Sequence, residues 1–236
     1  MSAIFNPLAL MTLHTSALYR HDANGRILTI NEPDGGNPAP RFFLGRTSVG
    51  NIWRFRADLS EGLVSELAIL CQAEPVGVAL HNPPRHMDAY MQLLGMHTPV
   101  GNVWMGPAYH FAQIQQPSRQ LLAITEANAV CLQGRFEEFI SELPTWQPFF
   151  GLVEDNQVVA ICRSVRITAD AHEAGVETLP EFRGRGYATA VISAWAHAVQ
   201  ALGAIPLYST SWENLASQAV AKKLKLIQFG VDFHIA

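Results

Sequence analysis

Two spacings of apolar residues alternate along this chain. A period of two, the signature of a strand, runs through residues 41–44 and 51–56. In the second run Ile52, Arg54 and Arg56 point one way and Trp53 and Phe55 the other. Residues 13–31 predict a hairpin, because Asn24-Gly25 is a strong two-residue turn signal between Leu18-Tyr19-Arg20 and residues 26–30. Residues 31–40 read as a Pro/Gly/Asn loop. Further on, residues 149–153, the tight turn Glu154-Asp155-Asn156 and residues 157–167 predict an antiparallel pair, followed by a short strand at 176–179. A period near 3.6 marks helices. Residues 60–73 carry Leu63, Leu67 and Leu70 on one face and stop before Pro75. Helices are also expected at 126–131 and at 135–143, where Phe136, Phe139, Ile140 and Leu143 share a face. Residues 189–202 place Val191, Trp195, Val199 and Leu202 on a core stripe, with Gly203 positioned to cap the end. A last helix, capped by Ser211 or Thr210, carries Lys222 and Lys223 in its final turn, where they complement the dipole. Residues 75–117, rich in Pro, His, Gly and Met, show no clear period apart from a strand within 99–104. The break there divides an N-terminal α/β region, residues 1–95, from residues 96–236.

Length and charge narrow the function classes. A chain of 236 residues holds one large domain or two small ones and can bury a substantial core. The net charge of -4 argues against non-specific nucleic-acid binding. No apolar run is long enough to span a membrane, and residues 1–7 lack the basic region of a secretory signal. Cys71, Cys131 and Cys162 are widely spaced and odd in number, which fits reduced thiols. A cytoplasmic protein without membrane or nucleic-acid partners is therefore expected; a homo-oligomer stays open. No Gly-x-Ser-x-Gly elbow points to a serine hydrolase. Neither a Cys-x-x-Cys pair nor the scatter of His81, His86, His97 and His110, read as loop and surface residues, makes a zinc site. Cys162 reads as a small core residue.

The candidate chemistry sits in Arg183-Gly184-Arg185-Gly186-Tyr187-Ala188, between the strand at 176–179 and the helix at 189–202. A glycine-rich turn that opens a helix is an anion site, because the first backbone N–H groups lack internal partners and the macrodipole is positive there. Gly184 and Gly186 let the backbone close on a ligand. Arg183 and Arg185 add charges with a geometry suited to phosphate. Gly186 is followed by Tyr187 instead of Lys-Ser/Thr, which excludes a Walker loop, and Thr189 stands where a dinucleotide fingerprint needs a small residue. The loop therefore reads as a cradle for the diphosphate of a larger cofactor.

The same residues resemble the Gln/Arg-x-x-Gly-x-Gly/Ala signature of the GNAT superfamily of N-acetyltransferases, with Arg183, Gly186 and Ala188 at its three fixed positions. The lead-in Thr178-Leu179-Pro180-Glu181-Phe182 and the downstream residues 207–214, Ala216-Ser217 and 221–224 are also similar to that superfamily. The resemblance covers roughly residues 120–236. It implies a mixed, mostly antiparallel sheet flanked by helices, an α/β (α+β) fold with the N-terminal region as an extension. It implies acetyl-CoA as cofactor and direct acetyl transfer to an amine in a ternary complex. By the family pattern the strand with Val176, Thr178 and Leu179 would pair with the pantetheine. Arg183, Gly184, Arg185, Gly186, Tyr187 and Ala188 would hold the pyrophosphate, and Asn214 and Ser217 would contact CoA. The chain departs from the pattern where many members carry a Tyr on the last helix, which here is Ala221, and where the usual Gly is Lys225.

Transfer to an amine requires a held thioester, a deprotonated amine and a stabilised thiolate. Glu177, between Val176 and Thr178-Leu179, is the candidate base: among apolar neighbours a carboxylate's pKa rises. A solvent-facing strand residue is the competing reading. His172 and Glu173, expected in a loop before the strand, are weaker candidates. Tyr208 is either a proton donor to the thiolate or a buried Tyr with a local hydrogen bond. Ala221 keeps a second class open, a non-catalytic acyl-CoA-binding module with a degenerate site. The acceptor, a small molecule or a peptide amine, is not named by the sequence.

Overall fold

The computed structural model describes residues 6–32, 38–117 and 119–236. Half of the expected loop at 31–40, and most of the residues read for a secretory signal, lie outside them. The described chain opens with α1 (Pro7–Leu18), capped by Asn6, whose side chain accepts from the Leu8 N–H, with Pro7 at the start. This corrects the hairpin expected from residue 13: only β1 (Tyr19–His21) and β2 (Ile27–Ile30) form it, around the Asn24-Gly25 turn. α1 shows no stripe because it is apolar on most sides; Leu10, Met11, His14, Thr15 and Ala17 are all buried.

β3 (Phe42–Thr47), β4 (Asn51–Phe55) and α2 (Glu61–Ala73) follow as expected, with Ser60 capping α2. α3 (Met87–His97) lies in the stretch without a readable period. The turn that leads into it is held from a distance. The Glu74 carboxylate accepts from the N–H groups of Arg85 and His86 and from the Tyr90 hydroxyl. β5 (Val103–His110) is longer than the strand expected at 99–104, and it buries His110, expected at the surface. After β6 (Leu122–Ala123), the two helices expected near 126–143 form as 3-10 turns, Glu126–Leu132 and Glu137–Glu142. β7 (Phe149–Glu154), β8 (Gln157–Ile167) and β9 (Ala171–Thr178) make a meander. β9 begins before residue 176, so His172 and Glu173 are buried strand residues, not loop residues. α4 (Tyr187–Ala201) buries Val191, Trp195 and Val199, but Leu202 falls beyond its end and is 67% exposed. β10 (Ile205–Ser209) leads to α5 (Leu215–Lys223), capped by Asn214 and not by Ser211 or Thr210; its side chain accepts from the Ser217 N–H at 3.0 Å. β11 (Ile227–Ile235) ends the chain.

Nine strands form one sheet in the order β4-β3-β11-β5-β10-β9-β8-β7-β6, and only β9 and β10 pair in parallel. The last strand, β11, inserts between β3 and β5, so residues 42–55 and 103–235 share a sheet. The boundary expected near residue 95 falls inside α3. Alternation along β5 assigns the faces: Met105 joins the cluster with α2 and α3, Tyr109 the cluster with α4, and Ala108 the opposite cluster with α1. α1 lies flush on the sheet because Gly45 and Gly230 face it. A Cβ at either would stand 2.5 Å from a Met11 side-chain atom. Phe42 stacks on Phe55 at 5.7 Å and meets Phe233 at 6.3 Å, so β3 and β4 bury their aromatics against the end of the chain; Trp53 is partly buried in the same cluster.

Candidate functional site

The parallel pairing of β9 and β10 is short. Ala171, His172 and Glu173 face Ile205, Pro206 and Leu207, and there it stops. β9 continues to Thr178 paired with β8, and β10 continues to Ser209 paired with β5. The two strands fork. Among the described residues no strand pairs with the inner edges of the fork beyond that rung.

The loop that opens α4 lies at the mouth of this fork. Gly184 and Gly186 take φ of +78° and +82°, the left-handed region in which glycine carries no Cβ penalty. Gly186 is the N-cap of α4, with no side chain to cap the first amides. A Cβ added at Gly184 would meet nothing within 4 Å, and one at Gly186 only Thr189 Oγ1 at 3.8 Å. The space over the helix N-terminus is therefore open, and the unpaired amides and the dipole point into it.

A cleft of about 600 Å³ joins loop and fork. Its lining includes Val176, Glu177, Thr178, Leu179, Arg183, Gly184, Gly186, Tyr187 and Ala188 from the strand and loop, and Tyr208, Asn214 and Ser217 from β10 and α5. Of the expected cofactor residues only Arg185 turns aside. Its guanidinium lies over the Phe182 ring at 5.0 Å and donates to the Glu181 carbonyl. The cleft also gathers residues that the sequence did not single out for it. Among them are Arg135, Phe136 and Glu138 from the 3-10 region and Lys223 from α5. Lys223 had a visible signal as a cation in a last helical turn; Arg135 and Glu138 had none, since only the fold brings their segment to the strand. Thr178 Oγ1 is buried in the wall without a hydrogen-bond partner, as expected of a group that meets a ligand.

The three catalytic candidates are placed differently. Glu177 lines the cleft but is not in the apolar setting expected. Its side chain is 45% exposed, and Oε1 accepts from Arg163 Nη1 at 3.1 Å. Arg163 is buried, its guanidinium 3.8 Å and 4.8 Å from the ring centres of Phe139 and Trp146. That packing fixes the arginine, and the arginine fixes the carboxylate. Tyr208 also lines the cleft, its hydroxyl 2.5 Å from Ser217 Oγ. Burial pushes its phenol up to about 12, against a small lowering by the Ser217 bond, so it keeps its proton at neutral pH. His172 does not reach the cleft. Trp195 Nε1 donates to Ser164 Oγ at 3.0 Å, and Ser164 Oγ lies 2.8 Å from His172 Nδ1. Burial lowers the pKa of this imidazole. The trio ties β8, β9 and α4 together.

Both departures from the family pattern have structural consequences. Ala221 is buried in the core under α5. Lys225 takes φ +55°, so the position does demand the left-handed conformation and the lysine adopts it.

Residues 119–228 match the family model for GNAT acetyltransferase. Residues 119–228 of this chain form a GNAT acetyltransferase domain. No curated protein sequence matches the chain. Among solved structures, a GNAT-family protein from Novosphingobium aromaticivorans is 18% identical, with a TM-score of 0.49 over 58% of this chain and 65% of that one, just under two thirds of its length. A GCN5-related N-acetyltransferase-like protein from Streptococcus suis is 15% identical, with a TM-score of 0.47 over 97% of this chain and 99% of that one. A Drosophila protein is 12% identical, with a TM-score of 0.50 over 98% and 86%. The matched residues lie in a mixed, mostly antiparallel sheet flanked by helices. Among the described residues no helix is long and apolar enough to cross a membrane. Nor is any group of three or more His, Cys, Asp or Glu among them placed to hold a metal ion.

Proposed function

We propose that this protein transfers an acetyl group from acetyl-CoA to an amine. One observation carries the reading: a helix N-terminus with two left-handed glycines and open space above it, joined by a single cleft to a forked pair of parallel strands. The residues fit the cofactor. The α4 amides and Arg183 suit a pyrophosphate, Lys223 and Arg135 suit a further phosphate, and the edge of β9 at Val176, Thr178 and Leu179 suits an amide-bearing arm. When bound, acetyl-CoA supplies a thioester whose carbonyl carbon the amine nitrogen attacks, with C–N formation and C–S cleavage in a ternary complex.

The chain's own groups divide the remaining work. Backbone N–H groups on the inner edge of β9 polarise the carbonyl. Glu177, one oxygen held by Arg163, offers the other to the amine and passes the proton to solvent through its exposed side. Tyr208 holds a proton, and with Ser217 beside it supplies that proton to the departing thiolate, the part that Ala221 cannot play. Acceptor amines of the small-molecule or peptide class enter from the fork, and a reducing, cytoplasmic setting suits the three thiols, none of them in a disulfide. Release of free thiol from acetyl-CoA, followed with and without a panel of primary amines, tests the reading. Amine-dependent release supports transfer. CoA binding without release for any amine favours the non-catalytic module.

A further inference from the structure

The fork has a second wall on the face opposite α4. At its last paired rung, Glu173 is buried at 3% exposure. Its Oε1 lies 2.6 Å from His14 Nδ1, and its Oε2 accepts from the Ser209 hydroxyl at 3.2 Å. His14 comes from α1 and is wholly buried; its Nε2 lies 3.4 Å from Asp232 Oδ2 on β11. Asp232 Oδ1 in turn faces His234 Nδ1 at 3.2 Å, and Trp104 stacks on that ring at 5.0 Å. Tyr19 and Arg166 are the next polar groups around the array. Burial alone would lower the pKa of the His14 imidazole. The charge of Glu173 and the bonds from both carboxylates raise it instead, to about 10. His14 is then an imidazolium with both N–H groups donating, one to each carboxylate.

Burying three ionisable groups is a costly way to dock a helix, since apolar residues of similar volume often serve as well. Ser209 shows what the array is for. It is partly exposed, it follows Tyr208 of the cleft, and it stands where β10 leaves β9. Its hydrogen is committed to Glu173, so its lone pairs remain to accept. We propose that Ser209 holds the acceptor amine at the fork, an N–H of the amine donating to its oxygen, and that Glu173, His14 and Asp232 orient it. Ser209 touches the substrate; the other three are positioning residues. The Glu173 carboxylate that holds the Ser209 hydrogen turns the oxygen lone pairs toward the amine N–H, and the amine gives its proton to Glu177. α1, outside the matched GNAT residues, thereby completes the acceptor side. This rests on the transferase reading.

Methylamine is the probe acceptor, with acetyl-CoA saturating and thiol release as the readout. Ser209→Ala raises the KM for methylamine roughly tenfold or more, while CoA affinity stays within about twofold. Ser209→Thr, which keeps the hydroxyl, recovers most of that loss. His14→Gln shifts the same KM if it folds; if it does not, the Ser209 pair decides. A wild-type KM in Ser209→Ala, or a Thr variant as impaired as the Ala variant, overturns the proposal. So does a wild-type protein that binds CoA but does not turn over methylamine. A wild-type protein that does not bind CoA defeats the transferase reading instead.

Discussion

The two faces of the fork are built in opposite ways. On the α4 face, the residues for the cofactor fall mostly in one run, 176–188, and they act largely through backbone: strand edge, left-handed turn, helix amides. On the α1 face, the polar array is made of side chains from α1, β9, β10 and β11, and His14 and Asp232 stand 218 positions apart. A site made of local backbone geometry is written in consecutive residues. A site assembled by sheet topology is not, because it exists only once β11 has inserted between β3 and β5.

If the chemistry belongs to the cleft and the α1 face only positions, the largest effect on turnover should come from Glu177. Glu177→Gln should lower kcat by roughly a hundredfold with CoA affinity nearly intact. An unchanged kcat would show that Glu177 is not the base. The α1 face should instead announce itself in stability. The His14 pKa is raised in the folded protein from 6.5 to about 10. A raised pKa contributes stability that is complete below 6.5 and is lost as pH climbs toward about 10. The melting temperature of the wild type relative to His14→Gln should therefore lead most at the acid end of that window and converge toward the alkaline end; a constant difference would show that His14 is neutral. The smallest effect is expected at Lys225. Lys225→Gly removes left-handed strain at φ +55° but adds backbone entropy to the unfolded chain, for a net gain of roughly 0.5 kcal/mol by thermal melting without change in CoA affinity.

The same contrast explains what was legible in the sequence. The Asn24-Gly25 turn, the β7–β8 pair, the helix near 60–73 and the 183–188 loop all depend on neighbours in sequence, and the structure shows each. β11 was legible too, in the alternation of Ile227, Phe229, Val231, Phe233 and Ile235, although only the helix before it was expected. α1 was not, because a helix apolar on most sides has no stripe. α3 was not, because no side chain caps it and the turn before it is held by Glu74, brought there by the fold. At the candidate site the lining from strand and loop was readable, whereas Arg135, Glu138 and the Arg163 clamp on Glu177 depend on how the 3-10 segment packs.

The central claim is that the loop at the head of α4 is a pyrophosphate cradle. Thermal unfolding with and without CoA, in the wild type and in Gly186→Val, tests it most directly. Gly186 has φ +82°, which a β-branched residue resists, and a side chain there would fill the open space over the amides. The account predicts that CoA at about a hundred times its Kd stabilises the wild type by roughly 2.7 kcal/mol and the folded variant not at all. Equal stabilisation of both proteins, or of neither, would contradict it.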